Sequence, residues 1–168
     1  KDPIKKLLIN IAIPSSIGTV FQTLYNLVDT FFAGKISPEA LAAIAQTFPV
    51  YFIIIAIGVG ISIGTTSLIA NSIGENNLEN SGKIFSQSFI LSILVSIVIT
   101  TLGLYFSPSI ISSINNDKET LELSLKYIHI IFFGSIFIFI LMSVNSSLSA
   151  QGDTKSYRNV LIFSFFLN

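Results

Sequence analysis

The chain has 168 residues, of which 51% are apolar and 11% charged; it contains fifteen Phe, no Cys and a formal net charge of zero. A soluble domain carries about 25% charged residues, so this composition and a mean hydropathy of +0.78 exclude an ordinary soluble protein. Zero net charge excludes the concentrated basic surface that a nucleic-acid partner requires, and the lack of Cys excludes a disulfide framework and thiolate chemistry.

Charges gather at 1–6, 35–39, 75–83, 117–126 and 153–158, and each interval between them is longer than the ~20 residues needed to span a bilayer. The pattern predicts an all-α polytopic membrane bundle with helices over 7–34, 40–72, 84–107 and 120–150 and the start of a fifth over 157–168. Runs such as Tyr51 to Ile57 and Ile90 to Ile99 are apolar on both faces, which excludes the period of two of a membrane β-barrel. Their many Ile residues do not argue against helix, because backbone hydrogen bonds in lipid must close within the segment.

Lys1, Lys5 and Lys6 ahead of Leu7 to Ile13 look like the start of a signal peptide. The apolar run continues past Pro14 to Phe32 without a small-residue cleavage site, so the reading is a retained first helix. At the other end, Val160 to Asn168 covers about 14 Å of helix, less than half of a ~30 Å hydrocarbon core. The expectation is a chain that stops inside a membrane helix and is a piece of a longer protein.

The connections, at 35–39, 73–83, 107–119 and 151–156, are short, which predicts antiparallel packing of successive helices. Lys and Arg at 1, 5, 6, 83, 155 and 158 fall on one side of this topology and Lys35, Lys118 and Lys126 on the other, placing the N-terminus in the cytoplasm. Asp29 then lies roughly 8 Å below the outer end of its helix near Gly34.

Asp29 is the only charged residue between Lys6 and Lys35. A carboxylate near the centre of a spanning helix costs roughly 2.5 to 3.5 kcal/mol on insertion scales, so its default reading is an ion or substrate site. Gln22, Tyr25, Asn26 and Asp29 recur at i, i+3, i+4 and i+7 and share one helical face. The bland alternative makes Gln22 and Asn26 interhelical glue while Asp29 reaches outward, which its short side chain disfavours. Pro14 leaves the first helix without one backbone hydrogen bond and is either a hinge or merely structural; Pro49 is a weaker case of the same kind.

Gly58, Gly60 and Gly64 in GVGISIG include a Gly-x-x-x-Gly spacing that favours close helix packing and, with no preceding strand, not a phosphate loop. Asn145, among Ser143, Ser146 and Ser147, and the terminal Asn168 are candidates for interhelical hydrogen bonds or cavity contacts. His129 reads as an interfacial anchor; no His, Cys or acid stands at transition-metal spacing from it. No Ser has a His partner suited to hydrolysis, so the chain is not read as an enzyme.

These residues also form a recognisable pattern. The segment PSSIGTVFQTLYNLVDTFFAGKISPEALAAIAQTFP contains a proline, a Gln-x-x-Tyr-Asn-x-x-Asp run and an Asp-Thr-x-x-x-Gly step; LIANSIGENN, the Tyr127 region and SLSAQGDTKSYRN follow in order. In this it resembles the multidrug and toxic compound extrusion (MATE) transporters over nearly its whole length. The resemblance implies a twelve-helix, two-lobe antiporter, of which residues 1–168 form part of the N-terminal six-helix lobe, with no separate soluble domain.

The same resemblance implies that Asp29 is the cation-coupling residue and that Gln22 and Tyr25 are polar residues of its cavity. Asn26 shares their face. Pro14 matches a proline at which the first helix bends, and Asn145 and Asn168 match cavity asparagines. Family members usually carry a second acid one turn after the latter.

The expected function is secondary active efflux in the cytoplasmic membrane of a prokaryote. H⁺ or Na⁺ binding at Asp29 drives export of amphipathic, often cationic, drug-like compounds, with no other cofactor. The partners are the bilayer and a C-terminal lobe of the same protein, with no nucleic acid. Two rivals are a flippase for lipid-linked saccharides, which would need basic residues within its spans, and a non-transporting scaffold or channel subunit.

Overall fold

A computed structural model describes residues 4–114 and 117–167. Five helices follow one another: α1 (Ile4–Ile36), α2 (Pro38–Gly74), α3 (Leu78–Ile114), α4 (Lys118–Ala150) and α5 (Lys155–Leu167). Among the described residues there is no strand. α2, α3 and α4 are long and apolar enough to cross a membrane. α1 has 33 residues, as many as α4. The 13 residues of α5 cover about 20 Å.

Short polar caps separate the helices. Ser37, in extended backbone, accepts from the Ala40 amide at 3.1 Å, and Pro38 opens α2 where its missing N–H costs nothing. After Gly74, Asn76 adopts a left-handed φ of 58°, and Asn77 Oδ1 accepts from the Asn80 amide at 3.0 Å to start α3. Asp117 caps α4, accepting from the Thr120 amide at 2.9 Å and from its hydroxyl at 2.7 Å. Gly152 (φ 81°) turns the chain, and Asp153 Oδ1 accepts from the Lys155 and Ser156 amides at 3.1 and 3.0 Å to open α5.

Two expectations are corrected here. Residues 107–119 were expected to form a connection broken at Pro108, but α3 runs through Pro108 to Ile114. A proline removes one backbone bond, and an apolar continuation that must satisfy its other backbone groups internally stays helical. The 73–83 connection is likewise shortened, because α3 begins at Leu78.

The second correction concerns neighbours. The most extensive contact joins α2 to α4, and α1 packs chiefly on α5 rather than on α2. α2, α3 and α4 therefore form a three-helix unit with the α1–α5 pair beside it.

The core of that unit is Ile54, Ile128, Phe132 and Phe139, flanked by Val50, Val95, Ile99 and Leu104. Small hydroxyl residues fill the rest of the interfaces: Thr47, Thr65, Ser92, Ser96, Ser124, Ser135 and Ser146 are all buried. Such residues let helix backbones approach and bond to one another. Thr100 Oγ1 of α3 donates to the Phe132 carbonyl of α4 at 2.7 Å and lies 3.1 Å from Ser135 Oγ. Thr66 Oγ1 of α2 donates to the Ser146 carbonyl at 3.2 Å as well as to its own helix.

Gly58 packs tightly against α4, since a Cβ there would meet Met142 Sδ at 2.5 Å. Gly60 and Gly64 meet no other helix among the described residues: neither has anything within 4 Å of an added Cβ. Helical rotation accounts for the difference, because Gly58 and Gly60 point some 200° apart at 100° per residue.

Candidate transport site

Asp29 projects from α1 into a cavity of about 390 Å³ that it shares with Ala40, Ala43 and Ile44 of α2 and Leu123 and Tyr127 of α4. Its walls are mostly apolar, and Asp29 interacts electrostatically with the Tyr127 phenol. Tyr51 of α2 is within electrostatic reach of Tyr127 and of Tyr157 on α5, so phenols from three helices lie in a chain that leads from the Asp29 cavity towards α5. An acid and neutral hydroxyls at an apolar wall suit a proton or a small hard cation together with an organic cation, whose charge the carboxylate and aromatic faces attract.

Lys35, the next charged residue along α1, is occupied elsewhere. Its ammonium sits over the Phe31 ring at 4.6 Å and 5.8 Å from that of Phe32. That placement keeps its charge at the end of the helix.

A second cavity, of about 140 Å³, lies between α1, α4 and α5. Pro14, Gln22, Asn145, Thr154, Tyr157 and Arg158 contribute to its lining. Among the residues of α1 whose burial is described, Pro14 and Gly18 are buried, and Gly18 lies against Leu161 and Arg158 of α5.

The structure thus divides the residues singled out by sequence. Asp29 stands in one cavity, while Gln22, Asn145 and Pro14 meet in the other. Gln22 precedes Asp29 by seven residues, about 10.5 Å along the helix axis. Tyr25 is half-buried and Asn26 exposed, and neither lines these two cavities. Asn168 lies outside the described residues. His129 bonds through Nε2 to the buried Ser107 Oγ at 3.1 Å, tying α4 to α3 beside Pro108.

Sequence reasoning passed over Tyr51, Tyr157 and Thr154. The available signal was a lone Tyr in the apolar run of α2 and a Tyr at the first turn of α5. Without knowing that α2, α4 and α5 converge, nothing joined them.

Outside the membrane spans, two carboxylates are tuned by capping. Hydrogen bonds from the Thr120 side chain and backbone hold Asp117 below the usual carboxylate range, and those from Ser156 do the same for Asp153.

A bundle that is helical throughout its described residues, with long apolar spans, helix-helix hydroxyl bonds and a carboxylate lining a cavity between helices, defines a polytopic membrane protein of the transporter type. The sequence pattern of the MatE family matches residues 14–168, and the chain belongs to this family of MATE transporters.

A FAD transporter of Shewanella oneidensis is 29% identical over 166 residues, covering 99% of this chain and 37% of that protein. The probable multidrug resistance protein NorM of Thermotoga maritima is 30% identical, covering 98% and 36% respectively. An outward-facing multidrug resistance MATE family transporter of the MOP superfamily superposes with a TM-score of 0.92 at 32% identity, over 97% of this chain and 36% of that one. The chain spans a little over a third of the length of these relatives.

Proposed function

We propose that this chain is the N-terminal part of a cation-coupled multidrug efflux antiporter. H⁺ or Na⁺ entering down its gradient occupies Asp29, and its release and rebinding alternate with export of amphipathic, often cationic, compounds. The carrying observation is the placement of Asp29 in a mostly apolar cavity with Tyr127. The probable multidrug resistance protein and the multidrug export protein MepA of Staphylococcus aureus among its relatives support the substrate class.

Occupancy of the carboxylate favours one of two access states by the difference in ion affinity between them. Pro14 is the point at which α1 can bend between those states. The remaining lobe supplies the other wall of the path. The protein resides in the cytoplasmic membrane of a prokaryote with its N-terminus inside, as the Lys and Arg asymmetry supports.

A flippase for lipid-linked saccharides has less support. Arg158, near the start of α5, is the one cation lining either described cavity, and a pyrophosphate needs several.

The test is export by the full-length protein in vesicles with an imposed ion gradient. Asp29→Asn inserts and folds but loses gradient-driven export, whereas unchanged export overturns the assignment. Varying pH and Na⁺ separately identifies the ion.

A further inference from the structure

Pro108 stands inside α3 and has no N–H to give to the Leu104 carbonyl one turn before it, yet the helix continues to Ile114. The hydroxyl of Ser107 answers that carbonyl, with Oγ donating to it at 3.4 Å. The same Oγ lies 3.1 Å from Nε2 of His129 on α4. Ser107 is only 3% exposed, so its hydroxyl depends on protein partners.

A serine hydroxyl has one proton to give and two lone pairs with which to accept. Its proton goes to Leu104, so towards the imidazole Oγ acts as acceptor, and Nε2 is the ring nitrogen that carries hydrogen. The bonds then run in one direction, from His129 Nε2–H to Ser107 Oγ–H to the Leu104 carbonyl. Hydrogen bonds aligned in this way polarise and strengthen one another.

The surrounding contacts place this relay on a firm base. Leu104 packs against the core cluster, Gly103 faces the Phe132 ring, and Thr100 donates to the Phe132 carbonyl. α3 is thus fastened to α4 on the proline turn itself and again one and two turns before it. A proline whose missing bond goes unanswered is a place where a helix bends.

We propose that His129 and Ser107 form a brace that closes the gap left by Pro108, with the imidazole held as the Nε2–H form, so that residues 109–114 move with α4 as one body. Pro108 is then a rigid joint, not a hinge.

The experiment joins histidine nitrogen NMR with hydrogen exchange on the full-length protein in nanodiscs. The His129 signal is the one that His129→Gln removes. A proton on Nε2 is expected, and a bare Nε2 overturns the proposal. Ser107→Ala and His129→Asn should each raise amide exchange over residues 109–114 about threefold, the equivalent of one average bond between membrane helices. His129→Gln, whose amide N–H reaches where Nε2–H stood, should exchange as the wild type does. In a Pro108→Ala background the Ala amide takes the Leu104 carbonyl, so adding Ser107→Ala should have a smaller effect there. Unchanged exchange in Ser107→Ala overturns the brace, as does a His129→Gln variant as fast as His129→Asn. An equal effect of Ser107→Ala with and without Pro108 would sever the link to the proline and overturn it too.

Discussion

Gly18 of α1 lies against Leu161 of α5 so closely that a Cβ on Gly18 would come within 3.3 Å of Leu161 Cδ1 and 3.6 Å of the Arg158 Cα. The contact joins the two helices one turn beyond Pro14, and the Phe21–Phe165 edge-to-face pair at 5.5 Å continues it. Gly18→Ala is expected to be tolerated, because the Leu161 methyl is the free end of a flexible side chain. Gly18→Leu forces the helices apart at a cost of about 1–3 kcal/mol, read as a lowered melting temperature in detergent. Equal stability of the Leu variant would show that α1 and α5 are not held together at this point.

Gly103 of α3 faces the Phe132 ring at the core of the three-helix unit. A Cβ there overlaps the ring atoms of Phe132, a buried core residue that is 4% exposed. Gly103→Ala is therefore expected to destabilise by about 1–3 kcal/mol, while Gly64→Ala, with nothing nearby, leaves unfolding unchanged. Because the residues touch, Gly103→Ala combined with Phe132→Leu should be non-additive in a double-mutant cycle.

Thr100 carries the shortest hydroxyl bond from α3 to α4, 2.7 Å to the Phe132 carbonyl. Thr100→Val keeps the shape and removes the bond. The expected loss is about 0.6 kcal/mol, the average for hydrogen bonds between membrane helices. Reversible unfolding in mixed micelles measures it, and a loss of several kcal/mol would give this one bond a far larger part in the fold.

Tyr127→Phe removes the hydroxyl beside Asp29 and keeps the ring. If the phenol contributes to ion coupling as proposed, the apparent affinity for the coupling ion should fall about fivefold, matching a ~1 kcal/mol polar interaction, with expression unaffected. Ion-dependent transport in vesicles reads the change, and wild-type affinity would remove Tyr127 from the coupling site.

Asp117 caps α4 as a carboxylate with a lowered pKa. A group whose folded pKa is depressed contributes stability above its unfolded pKa, and that contribution disappears as pH falls through the folded value. Melting temperature should therefore fall on acidification below the usual carboxylate range near pH 4, and less steeply in Asp117→Asn, which caps without titrating. Identical acid profiles for the two proteins would show that the cap does not contribute to the pH response.

Much of the fold was legible because lipid imposes strong one-dimensional rules. Every backbone group must be bonded within its own segment, so apolar runs between charge clusters translate directly into helices. Helix ends were less legible. Pro108 looked like a terminator, and only the internally bonded apolar run through Ile111 carried α3 past it. The Gly60 and Gly64 spacing faces away from the other described helices, since a spacing does not reveal which side of a helix meets a given neighbour.

The candidate site followed the same division. Asp29 was conspicuous from sequence alone because a carboxylate in an apolar run has an energetic cost that demands a role. Its membership of one face with Gln22 was also legible, since helical geometry is periodic. Only the tertiary structure decided that α4 presents Tyr127 to Asp29 and Asn145 to the Pro14 cavity, because it depends on α2–α4 and α1–α5 contacts between segments far apart in the chain. Local periodicity determines what a helix offers; which helix receives it is set by how small residues such as Gly18, Gly58 and Gly103 let particular pairs approach.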